Sequence, residues 1–165
     1  MRRAFVAVAL AAAVTAGTAG AAGGRSAVRA PVETPGAFIK RILKEEIHGQ
    51  WAQQWRELHP GHRALITRAQ YVACSRGMGT DFATGKEVFR VLGVRDEPIH
   101  VRGVPQRTSK VVTIMFREPS KPSGLTYHLH AVVSGDRWAW ILGGKFLSEL
   151  AQGRCLDGSR LASTA

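Results

Sequence analysis

Two imidazoles two positions apart, in His128-Leu129-His130, are the residues of this chain best spaced for chemistry. On a strand they project to one face, where a pair of imidazoles can hold a metal ion or supply a general base. A closed metal site takes three or four protein ligands, and a base takes a partner that orients it. Neither lies close by in sequence. A solvent-facing side of the sheet accounts for the pair, because Leu125, Tyr127, Leu129, Ala131 and Val133 alternate with it as the better core stripe. Glu45-x-x-His48 is one half of a carboxylate-bridged metal pattern that needs two copies, and no second copy follows. No metal and no cofactor is therefore expected.

His59 and His62 flank Pro60-Gly61 and are candidates for the mouth of a pocket; Trp51, Trp55 and Tyr127 are candidates for its lining. Core packing is the simpler role for the tryptophans, Trp138 and Trp140 included. The acids of the strand region, Glu87, Asp96, Glu97, Glu118 and Asp136, all fall at strand ends, bends or turns, where water solvates them. None reads as a desolvated base. The G-x-S-x-G elbow, the G-x-x-x-x-G-K-[ST] phosphate loop, H-E-x-x-H and G-x-G-x-x-G are all missing.

The chemistry of Cys74 and Cys155 depends on compartment. Residues 1–21 carry Arg2 and Arg3, an Ala/Val-rich stretch through Val14, and Ala19-Gly20-Ala21, the pattern of a cleavable export signal. Thr15, Gly17, Thr18 and Gly20 interrupt the apolar stretch before it reaches the ~20 residues of a membrane span. No span is expected after cleavage. Export places the chain in the cell envelope or outside it, where a thiol pair persists as a disulfide. With no C-x-x-C and no third ligand nearby, Cys74–Cys155 is expected to be a structural cross-link. The 23 Lys and Arg against 12 Asp and Glu give a net charge of +11, or +9 once Arg2 and Arg3 leave with the signal. The excess is dispersed, so it favours anionic surfaces without drawing a binding site. Nucleic acid is a poor partner for such a chain.

The 165 residues, 45% hydrophobic and 21% charged, suit one globular domain. Residues 22–36 read as a flexible arm, 37–155 as the domain and 156–165 as a loose tail. Ile39, Leu43, Ile47, Trp51 and Trp55 recur every four positions, which predicts one long amphipathic helix ending at His59-Pro60-Gly61. A short helix over 62–66 and a third announced by the capping box Thr67-Arg68-Ala69-Gln70 follow. Four strands are expected over 88–103 (bent at Asp96-Glu97-Pro98), 110–118, 125–134 and 137–142, the last three as an antiparallel meander. Phe146, Leu147 and Leu150 form a short apolar segment leading to Cys155.

Helices first, then an antiparallel sheet, with Trp51-x-x-x-Trp55-x-x-Leu58-His59-Pro60, Tyr71-x-x-Cys74 and Gly135-Asp136-Arg137-Trp138-x-Trp140 in that order, resembles the nuclear-transport-factor-2-like (SnoaL-like, cystatin-like α+β) superfamily, and most its small exported actinobacterial members. The resemblance spans most of residues 38–144. It implies three N-terminal helices packed on a curved four-stranded antiparallel sheet, a half-barrel cone with a pocket between helices and concave face. Some members use that pocket for catalysis and many only for binding, so fold leaves function open. The leading expectation is a non-catalytic module for a small apolar ligand or an envelope protein. An isomerase-, dehydratase- or hydrolase-type enzyme using His128 and His130 is the alternative. A basic binder of anionic envelope polymers or lipid headgroups is the third.

Overall fold

In the computed structural model, residues 31–77, 88–117 and 124–156 are described. The expected export signal, residues 22–30 of the arm, the loop at Met78-Gly79, the hairpin at 119–123, and residues 157–165 of the tail lie outside them. So do Asp81, Glu87 and Glu118. The chain order is α1 (Pro35–Ile47), α2 (Trp51–Glu57), α3 (Pro60–Arg63), α4 (Arg68–Gly77), β1 (Val88–Pro98), β2 (Thr108–Arg117), β3 (Leu125–Ser134), β4 (Arg137–Ile141) and α5 (Gly144–Ala151).

Helix α1 starts at Pro35, inside the expected arm, because Thr34 caps it: the Thr34 hydroxyl accepts from the Ala37 N–H at 3.2 Å. Residue Glu33 is also tied down, its carbonyl accepting from Trp138 Nε1 at 2.7 Å and its carboxylate pairing with Arg41 at 3.1 Å. The single long helix expected through Leu58 is two helices. Gly49 sits at φ 65°, and the N–H groups of Gly49 and Gln50 donate back to the carbonyls of Glu46 (2.9 Å) and Glu45 (2.8 Å), a Schellman stop. The apolar period of four runs through this break, which is why periodicity alone joined the two. Among the described residues four helical segments, not three, therefore precede the sheet. The expected start of α4 holds, with Thr67 N–H donating to Gln70 Oε1 at 2.7 Å and Gln70 N–H to Thr67 Oγ1 at 3.2 Å.

The sheet is a four-stranded antiparallel meander in the order β1-β2-β3-β4. Its registers align Phe89 with Phe116, Ile114 with Tyr127 and Ala131 with Trp140. One face carries Val112, Ala131, Trp138 and Trp140 into the main core with Phe38, Ile39, Ile42, Leu58 and Tyr71 from the helices. The opposite face is covered in part by the β1–β2 connection, which leaves the sheet at Pro98. Ile99 and Val104 from this connection cluster with Val132, Ala139 and Ile141. The connection also meets α3 closely: a Cβ on Gly61 would lie 1.6 Å from the Gly103 carbonyl oxygen. The apolar segment after β4 is a helix, α5, with Leu147 and Leu150 buried. Cys74 and Cys155 form the expected disulfide, Cα–Cα 5.2 Å, joining α4 to the chain beyond α5.

Candidate functional site

Strand β4 is half as long as β3, and the site follows from that difference. Pairing stops at His130 opposite Ile141. The next N–H, of Leu142, turns away to donate to His62 Nδ1 at 3.2 Å, and Gly143 is the N-cap of α5. The Leu125–Leu129 part of β3 therefore extends past its neighbour. Between this stretch, α1 and α5 lies a cavity of about 590 Å³, a size suited to a small organic ligand. Its walls are Leu43 and Ile47 from α1, Phe89 and Phe116 from β1 and β2, Tyr127 and Leu129 from β3, Trp140 to Gly143, Phe146 from α5, and Leu156.

Glu46 is the only acidic residue among the described lining residues, and no Lys or Arg is among them. Its side chain is exposed to solvent at the cavity. Loss of hydration there raises its pKa above the ordinary carboxylate range, against the pull of a hydrogen bond from Gln54. Gln54 is buried and held from three sides: its side chain accepts from the Tyr71 hydroxyl and donates to the Ile42 carbonyl at 3.3 Å, and its carbonyl accepts from Trp140 Nε1 at 3.3 Å. The amide that favours the charged form of Glu46 is thus fixed in the core. Tyr127 faces the same space, its phenol pKa raised by desolvation and by the nearby Glu46 charge.

Sequence reasoning passed over Glu46 because it looked for an acid on the strands. The usable signal was helical: Leu43, Glu46 and Ile47 stand at i, i+3 and i+4, one face of α1. Its neighbour Glu45 is structural. The Glu45 carboxylate is buried, taking Arg41 at 3.2 Å and Gln53 at 2.8 Å, while His48 Nδ1 meets the Lys44 carbonyl at 2.6 Å, so the Glu45-x-x-His48 pattern does not converge.

Of the residues singled out from sequence, Tyr127 lines the cavity and is 38% exposed there rather than packed inside, because β4 does not reach it. Trp51 is buried in the core and Trp55 packs against its edge; neither is on the cavity wall. His59 and His62 are 4% and 0% exposed, beneath the surface rather than at a mouth. His59 Nδ1 accepts from the Gly61 N–H at 3.1 Å, and both rings lose pKa to burial, His62 to about 4. His128 and His130 border the cavity along the β3 edge, but they alternate with Tyr127 and Leu129, on the side of Val132. Their Nδ1 atoms meet two separate hydroxyls, Thr113 Oγ1 at 3.1 Å and Ser109 Oγ at 2.9 Å. Among the described residues no group of three or more His, Cys, Asp or Glu is placed to hold a metal ion.

Fold and site together define an α+β domain with helices on one face of an open antiparallel sheet and an apolar cavity between them whose described lining holds one acid. No family model, curated protein or solved structure matches the chain.

Proposed function

We propose that the protein is an exported, non-catalytic binding domain of the nuclear-transport-factor-2-like kind, whose cavity takes a small, largely apolar ligand. The observation that carries this reading is the cavity of about 590 Å³ with aromatic and aliphatic walls. Hydrophobic transfer into it, at roughly 25 cal/mol per Å² of apolar area buried, supplies the driving force. The Cys74–Cys155 disulfide fits an oxidising compartment, and no helix of the described residues is long and apolar enough to cross a membrane. The separate hydroxyl partners of His128 and His130 favour a structural role for both over paired catalysis.

Trp140 lines the cavity and reports on it. Titration with small apolar compounds is expected to change Trp fluorescence saturably, and Ile47→Trp, which fills the space from α1, should weaken binding at least tenfold. Linear, unsaturable quenching in both proteins would count against the proposal. So would a hydrolase or isomerase activity that His128→Ala or His130→Ala abolishes.

A further inference from the structure

The polarity of the cavity runs against that of the chain. A protein of net charge +11 attracts anions at long range, yet the described lining residues include one carboxylate, Glu46, and no Lys or Arg. An anionic ligand such as a fatty acid would bring its charge beside Glu46 with no Lys or Arg among those residues to receive it. A neutral ligand would fill the apolar walls and take the exposed Glu46 carboxylate out of water without giving it a partner, which is costly for a charge. A cation resolves both.

The aromatic content points the same way. Phe89, Phe116, Tyr127, Trp140 and Phe146 all border the space, and aromatic faces attract an ammonium through the ring quadrupole while accepting the hydrocarbon attached to it. The Gln54 amide, which favours the charged form of Glu46, is itself fixed by the Tyr71 hydroxyl and the Ile42 carbonyl. The paired Arg41, Glu33, Glu45 and Glu57 form a separate network, with Glu45 buried in it, and none of the four lines the cavity.

We infer that the cavity is a site for a cationic amphiphile, an alkyl or aryl amine whose ammonium pairs with Glu46 while its apolar body lies against the aromatic walls. This inference rests on the cavity being a ligand site, as proposed above.

Calorimetric titration with three probes of one chain length, octylamine, 1-octanol and octanoate, at neutral pH separates the two claims. Octylamine is expected to bind about tenfold or more tightly than octanol, the usual worth of a charge-assisted hydrogen bond, with octanoate weakest. Glu46→Gln should bring the amine down to the level of the alcohol and leave the alcohol unchanged, whereas Glu46→Asp should keep the order amine over alcohol. If amine and alcohol bind the unmutated protein equally, or octanoate binds best, the cation assignment is overturned and the apolar cavity stands. If none of the three binds, both readings fall. The comparison on unmutated protein decides the question even if a variant does not fold.

Discussion

His62 shows how much one buried side chain can decide. Its Nδ1 accepts the Leu142 N–H, so the folded state needs that nitrogen unprotonated. Its pKa is pushed down to about 4, first by desolvation, then by the neighbouring His59, against a smaller opposing contribution from the backbone of Arg102. In the unfolded chain the same ring titrates near the ordinary value of about 6.5. As pH falls the unfolded chain takes up the proton first, so the stability from His62 is complete above about 6.5 and drains away toward about 4. The loss is on the order of 3 kcal/mol across that window, and His59 shifts in the same direction. Urea denaturation at about pH 7.5 and about pH 4.5 should show this fall in the unmutated protein and much less of it in His62→Gln. Equal pH dependence in the two would refute the assignment.

Helix boundaries carry the site, and they are set by local chemistry of different legibility. The Thr67–Gln70 capping box was readable because both partners lie within four residues and each satisfies the other's exposed N–H. Thr67→Ala should cost about 1 kcal/mol, seen as a lower urea midpoint with an unchanged slope. No change in midpoint would mean that α4 is held by packing alone. The stop at Gly49 was also written in the sequence, but the apolar repeat on either side outweighed a single glycine in the reading. That stop is consequential: it lets α2 fold back so that Gln54 reaches Tyr71 and the Ile42 carbonyl.

Across the whole molecule the Cys74–Cys155 bond links elements 81 positions apart, both sulfurs lying in the interior. On the chain-entropy argument such a closure stabilises the fold by roughly 4 to 5 kcal/mol. Replacing both cysteines with serine should lower Tm by on the order of 10 °C or more, read by calorimetry. Because the bond is buried, reductant should act slowly at temperatures well below Tm and rapidly near it. A double variant that melts with the parent protein would show that the cross-link constrains little.

The amino-acid sequence by itself determined the α+β class, the antiparallel meander, the span of β3, the start of α4 and the pairing of the only two cysteines. Each rests on a signal confined to a few neighbouring residues, or on there being a single possible partner. The tertiary structure alone decided that Leu142 turns toward His62 and that β3 outruns β4 to leave a cavity. It alone set Glu46 among apolar walls while burying His59 and His62. Those outcomes depend on desolvation, and desolvation is a property of what other elements bring near. Glu46 and Glu45 are adjacent in the chain, yet α1 buries Glu45 in an ion pair with Arg41 and sets Glu46 in the site.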